Sequence, residues 1–299
     1  MPAFNKPIVF TGAAVAIITP FTDNKVDFAQ LGKIIDYQIE NKTDAIVICG
    51  TTGEGSTLTD EEHRATIAYA VEHTAGRVPV IAGTGSNDTD YAISLSRYAC
   101  DVGADALLLV TPYYNKATPK GLIKSFTAVA DAVNKPIILY NVPSRTGCSI
   151  TLPVYRELAK HERIVATKEA SGNISAIAEI AAECSDGLTL YSGNDDQIVP
   201  LLSLGAKGVI SVLSNVMPRE THDICALWEE GKVKESAALQ LKLLDLINKL
   251  FIEVNPIPVK TAMSLLGWCS GEMRLPLCEM DDGNLAKLKA AMTAAGLLK

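Results

Sequence analysis

Short apolar runs recur along the chain. Each is β-branched or leucine-rich, and is followed by a polar or glycine-rich turn and then by a stretch whose apolar positions fall at helical spacing. Ala45–Cys49 (Ala-Ile-Val-Ile-Cys), Val78–Ala82, Ala106–Val110 and Pro136–Tyr140 are examples. The runs end near Thr19-Pro20, Gly50-Thr51, Gly83-Thr84, Thr111-Pro112, Tyr140-Asn141, Lys168-Glu169, Ser192-Gly193 and Ile210-Ser211. Nearly unbroken apolar strands are buried on both faces, which marks a parallel sheet. Eight strand–helix units in succession predict an α/β protein built as a (β/α)8 TIM barrel. An open doubly wound sheet is the competing arrangement.

After Ile210 the strand pattern stops. Residues 218–230, 232–253, 258–266 and 284–298 read as helices, with Leu239, Leu243, Leu246, Ile247 and Leu250 near helical spacing in the second. The first of these closes the eighth unit. The chain therefore divides into a barrel over residues 1–230 and a C-terminal helical extension over residues 231–299. No Ser/Gly-rich linker separates them, so the extension is expected to pack on the barrel.

Composition narrows the function classes. The net charge of −7, with no basic stripe, excludes a nucleic-acid binder. No apolar run approaches the length of a membrane span, and Met1–Lys6 lacks the apolar core of a signal peptide. Seven cysteines are scattered with no C-x-x-C pair, as for reduced thiols in a cytoplasm rather than a disulfide framework or zinc site. Most are expected to be small buried apolar residues.

In a barrel, chemistry collects on the loops after the strands. Here those ends carry Gly50-Thr51-Thr52-Gly53-Glu54, Thr111-Pro112-Tyr113-Tyr114-Asn115, Tyr140-Asn141-Val142-Pro143-Ser144-Arg145-Thr146-Gly147, and Lys168. No histidine is among them; His63, His73, His161 and His222 fall in helical or helix-flanking stretches. No metal-ligand spacing is present, so no metal is expected. Gly83-Thr84-Gly85 lacks the third glycine of a dinucleotide fingerprint, and Gly50–Gly55 lacks the Gly-Lys-Ser/Thr of a phosphate loop.

Lys168 closes a short apolar strand. Burial there lowers an amine's pKa and frees a nucleophile for carbonyls, pointing to a Schiff base with a keto substrate. The bland alternative is a lysine that leaves the strand end and pairs with Glu169. Tyr140 is the nearest proton relay, or else an amphipathic residue capping the barrel core. Thr51 and Thr52 could cap the turn. Arg145 suits a substrate carboxylate or a surface ion pair.

Taken together, Gly50-Thr-Thr-Gly-Glu54, Tyr140–Gly147, Lys168, Asn255–Lys260 and Arg274-Leu-Pro-Leu277 resemble the pyruvate-dependent class I aldolases of the N-acetylneuraminate lyase superfamily. Within it, the chain is similar over essentially its whole length to the dihydrodipicolinate synthase family. The resemblance implies a cytoplasmic lyase of the diaminopimelate route to lysine. It implies condensation of pyruvate with aspartate 4-semialdehyde and no cofactor beyond the lysine. It implies that Lys168 forms the imine, Tyr140 moves protons, and Thr52 links Tyr140 to Tyr114 of a neighbouring subunit. Thr51 would hold the pyruvate carboxylate, Arg145 the semialdehyde carboxylate, and the Ile210 backbone would sit beside the lysine. The implied assembly is a homotetramer, a dimer of dimers.

Two other readings stay open: a sister aldolase such as the sugar lyases, which lack an arginine at the place of Arg145, and a barrel that only binds a keto acid. Lysine-inhibited members place a histidine pair, an asparagine, a glutamate and a tyrosine at a regulatory site. This chain keeps His63, Asn87 and Tyr113 there but has Asp60 and Tyr91 at the places of the first histidine and the glutamate. Weak or absent inhibition by lysine is the resulting expectation.

Overall fold

A computed structural model describes residues 6–299 of the chain. Residues 1–5, most of the segment read for a signal peptide, lie outside the described residues. Eight parallel strands form a closed barrel: β1 (Gly12–Ala16), β2 (Ala45–Ile48), β3 (Val80–Gly83), β4 (Ala106–Val110), β5 (Ile137–Asn141), β6 (Ile164–Glu169), β7 (Thr189–Ser192) and β8 (Gly208–Ser211). Each pairs with its successor, and β8 closes on β1 in the register Gly12↔Gly208 to Val15↔Ser211. That closure needs glycine. A Cβ on Gly208 would lie 1.8 Å from the Gly12 carbonyl oxygen. With no free edge left, every strand bonds on both sides, as the apolar runs required.

Side-chain alternation separates two layers. Ala14, Ala16, Ala45, Val47, Ala106, Leu108, Ile138, Tyr140 and Ile210 fill the barrel interior. Ala13, Val15, Ile46, Ile48, Leu107, Leu109, Ile137 and Leu139 face outward to the helices. Small residues inside the first strands leave room for the larger side chains of the later ones.

The surrounding helices are α1 (Phe28–Glu40), α2 (Asp60–Thr74), α3 (Thr89–Asp101), α4 (Pro119–Asp131), α5 (Pro143–Thr146), α6 (Leu152–Leu158), α7 (Ile174–Cys184), α8 (Ile198–Ser203) and α9 (Pro218–Glu229). Local sequence sets their starts. Thr59 and Glu62 form a reciprocal capping box on α2, while Asp88, Thr118 and Asn173 cap α3, α4 and α7. Beyond them lie α10 (Val233–Lys249), α11 (Ile257–Leu265) and α12 (Asp282–Ala294). The second expected C-terminal helix ends four residues short of residue 253, at Lys249. Gln240 ties α10 to the barrel: its amide donates to the Asp196 carbonyl and accepts from the Val199 N–H.

Two strand ends differ from the sequence pattern. β1 stops at Ala16, short of Thr19-Pro20, because the Ile18 N–H donates to the Asn215 side chain instead of a neighbouring strand. β2 stops at Ile48, because Cys49 turns the chain with φ +56°. Cys49, Cys148, Cys184 and Cys225 are buried, and all seven cysteines are free. Among the described residues no helix is long and apolar enough to cross a membrane.

Candidate active site

Lys168 is the penultimate residue of β6, and only 6% of it is exposed. Its strand partner is Tyr140 on β5, and its Nζ stands 4.3 Å from the centre of the Tyr140 ring. Burial lowers its pKa to about 7; the Arg145 guanidinium pushes the same way, while the Asp195 carboxylate opposes both. The strand-end lysine does not pair with Glu169. That buried carboxylate instead accepts from Asn141 (2.8 Å), the Tyr155 hydroxyl (2.6 Å) and the Ser171 hydroxyl (2.8 Å). Glu169 thus braces the strand end and leaves the amine free. Gly193 gives the lysine its room, since a Cβ there would come within 3.0 Å of Lys168 Cε.

A cavity of about 170 Å³ surrounds the amine. Thr51, Thr52, Tyr140, Arg145, Lys168, Phe251 and Asn255 line it. A larger cavity of about 560 Å³ adjoins it, shares Thr51, Tyr140 and Arg145, and runs to Asp60, His63, Tyr91 and Tyr113. The lysine is in the smaller one. Since the chemistry follows the nucleophile, the smaller cavity is the reaction site and the larger one its annex.

The expected residues fall into three groups. Lys168, Tyr140, Arg145, Thr51 and Thr52 meet in the small cavity. Ile210 is fully buried in the barrel's inner cluster with Tyr140. Tyr114 is not brought in: it is 89% exposed, with φ +71°. It lines neither cavity of its own chain.

The two threonines make different contacts. Thr51, and not Thr52, acts on the Tyr140 phenol: its side chain helps to lower the pKa of that buried group. Burial raises the Tyr140 pKa, while Arg145 and that side chain draw it back. Thr52 is buried, and its hydroxyl accepts from Asn255 Nδ2 at 3.0 Å. Consecutive residues on a tight turn point in different directions, and a pattern of letters does not fix which way.

Arg145 sits on α5, a single turn that its place in a presumed loop did not reveal. Its Nη2 donates to the Asn255 carbonyl at 3.1 Å. The sequence census also missed Asp195. That residue is buried just past β7, and its Oδ2 accepts from the Val212 and Leu213 N–H groups at 3.0 Å each. An acid two residues beyond a strand's glycine was the available signal. His63, expected beside a regulatory site, lines the larger cavity, and its Nε2 is 2.9 Å from the Gly83 carbonyl.

The family model described as the dihydrodipicolinate synthetase family matches residues 9–295. The chain belongs to the dihydrodipicolinate synthetase family. It is 56% identical over 291 residues to the 4-hydroxy-tetrahydrodipicolinate synthase of Clostridium perfringens, covering 97% of this chain and 100% of that one. The solved dihydrodipicolinate synthase of Acinetobacter baumannii, complexed with pyruvate, superposes with a TM-score of 0.94. It is 41% identical and covers 96% of this chain and 99% of its own. The corresponding protein of Cyanidioschyzon merolae, solved with lysine bound, gives 0.94 at 39% identity over 97% of this chain and 99% of its own.

Proposed function

We propose that the protein is a lyase that condenses pyruvate with L-aspartate 4-semialdehyde to 4-hydroxy-tetrahydrodipicolinate, in the diaminopimelate route to lysine. One observation carries the reading. The amine of Lys168 is desolvated to a pKa of about 7 against Tyr140, in a cavity that also holds Arg145. The family's membership and its pyruvate-complexed relative support the substrate.

Lys168 Nζ attacks the ketone carbon of pyruvate, and loss of water gives an iminium. The iminium accepts the electron pair released when the methyl carbon loses a proton, which leaves an enamine. The enamine carbon attacks the aldehyde, whose oxygen takes a proton. The substrate's own amine then adds to the iminium carbon and expels Lys168, closing the ring. No cofactor is needed, because the lysine itself supplies the electron sink.

Tyr140 moves the protons in this reading, and Thr51 takes the linking role first given to Thr52. Thr52 then holds the pyruvate carboxylate. Arg145 receives the semialdehyde carboxylate through its planar fork. Tyr114 serves a second copy of the chain, within a cytoplasmic homotetramer built as a dimer of dimers. Regulation by lysine is weak, because Asp60 is already engaged by Arg64 and Tyr91.

Arg145 favours this reaction over cleavage of an N-acetylated sugar acid. A coupled assay with pyruvate and aspartate 4-semialdehyde, run beside N-acetylneuraminate, tests the choice. Turnover of the first pair alone is the expected result; turnover of the sugar acid alone would reverse it.

A further inference from the structure

Asn255 lies just before α11, 203 residues from Thr52 in sequence, and touches both sides of the reaction cavity. Its Nδ2 donates to Thr52 Oγ1 at 3.0 Å, and its main-chain carbonyl accepts from Arg145 Nη2 at 3.1 Å. Its Oδ1 is buried without a partner. A hydroxyl has one proton and two lone pairs. A donor on its oxygen therefore leaves the proton to be given elsewhere. Among the described residues the buried Thr52 hydroxyl meets this donor and no acceptor.

We infer that Asn255 is a positioning residue: by donating to Thr52 it turns the threonine hydroxyl's proton toward the pyruvate carboxylate. The inference rests on the proposed role of Thr52. It makes a segment outside the barrel's strand ends part of the pyruvate site. It also separates the two jobs of Asn255, since the side chain serves pyruvate and the carbonyl serves Arg145.

Steady-state kinetics of Asn255→Ala, Asn255→Asp, Thr52→Val and the two double variants test it. Asn255→Ala should raise the pyruvate KM roughly five- to tenfold, the scale of one lost hydrogen bond. The semialdehyde KM should stay within about twofold, because the carbonyl to Arg145 is retained. Asn255→Asp keeps the shape but offers an acceptor, so it should reverse the hydroxyl and raise the pyruvate KM more than Asn255→Ala does. A packing role predicts the opposite order. In the Thr52→Val background Asn255→Ala should add nothing, and the excess of Asp over Ala should shrink to the effect of charge alone.

An Asn255→Asp variant milder than Asn255→Ala overturns the proposal, as does an Asn255→Ala effect that persists in full on Thr52→Val. If Asn255→Ala does not fold, the Asn255→Asp comparison across the two backgrounds still decides it. A Thr52→Val variant with an unchanged pyruvate KM is a different failure. It removes the assigned role of Thr52, and the proposal with it.

Discussion

Tyr140 and Lys168 are register partners on adjacent barrel strands, and the lysine ammonium nitrogen stands 4.3 Å from the tyrosine ring centre. The pairing sets the proposed nucleophile against its proposed proton carrier through the strand register. Neither side chain has to search for the other, which keeps the ordering cost of the site low. An aromatic face also attracts a cation. The same ring can therefore steady the iminium that replaces the ammonium.

Imine formation should follow the protonation of Lys168. Burial lowers its pKa to about 7. The neutral amine, the attacking form, dominates above that pH and the ammonium below it. Borohydride trapping with pyruvate should therefore slow as pH falls through 7, by about tenfold per unit well below it. The adduct should map to the peptide carrying Lys168. A trapping rate flat from pH 5 to 8, or an adduct on another lysine, removes the mechanism.

Arg145 should matter to the second substrate and not the first. Arg145→Ala loses a charge-assisted pair with the semialdehyde carboxylate, about 1.5–3 kcal/mol, or roughly ten- to a hundredfold in kcat/KM. Pyruvate trapping on Lys168 should survive, because the variant leaves Thr51, Thr52 and Tyr140 in place. A variant that no longer traps pyruvate would assign Arg145 to the wrong substrate.

These two predictions draw on parts of the site that the sequence revealed to different depths. The strand ends were legible because burial on both faces forces continuous apolar runs, so Lys168, Tyr140 and Arg145 could be placed on one mouth. What each side chain bonds to was not legible. Thr51 and Thr52 are adjacent letters, yet the first acts on the buried Tyr140 phenol and the second is buried against Asn255. Asn255 reaches the cavity from the C-terminal segment. A contact that spans 203 residues, as from Asn255 to Thr52, leaves no periodic trace in a chain.

A buried ion pair secures the threonine loop. Lys260 on α11 bonds Glu54 at 2.5 Å, both side chains fully buried, and the lysine also lies 3.9 Å from the Phe21 ring centre. Glu54 holds φ +53°, a conformation that non-glycine residues adopt rarely. Lys260→Met leaves the buried carboxylate without its cation, with only the Arg274 N–H at 3.3 Å still bonded to it, and should cost about 3–5 kcal/mol, read by urea unfolding. Lys260→Met with Glu54→Gln should recover part of the loss. A Lys260→Met protein as stable as the wild type would show that the pair carries no net stability.

Tyr114 should complete the site of another subunit. Thr146 and Tyr114 are joined only by a long backbone hydrogen bond of 3.4 Å, and the tyrosine ring is exposed. Mixed Tyr114→Phe and Lys168→Ala chains should regain activity that neither has alone, since one site in a mixed dimer holds both native groups. Verified mixed dimers with no recovery would count against a shared site.

Lysine should inhibit weakly or not at all. The residues available to a lysine ligand in the larger cavity include His63, Tyr113, Asp60 and Tyr91. Tyr91 stands where the resemblance calls for a glutamate, so the carboxylate that would meet a ligand ammonium is missing. Asp60 is the nearest substitute in that cavity. Its Oδ2, however, accepts from Arg64 Nε at 2.8 Å, and Tyr91 beside it also helps to lower the carboxylate's pKa. These contacts, Arg64 first, hold Asp60 below the usual carboxylate range, so it stays charged but already neutralised. Replacing a guanidinium with an ammonium gains little. Loss of one charged hydrogen bond, about 1.5–3 kcal/mol, weakens binding roughly ten- to a hundredfold. Tyr91→Glu should move the half-inhibiting lysine concentration down by a similar factor. Arg64→Ala should lower it less, by freeing Asp60. Half-inhibition of the native enzyme by sub-millimolar lysine in the coupled assay would defeat the prediction and return Asp60 to the role of ammonium partner.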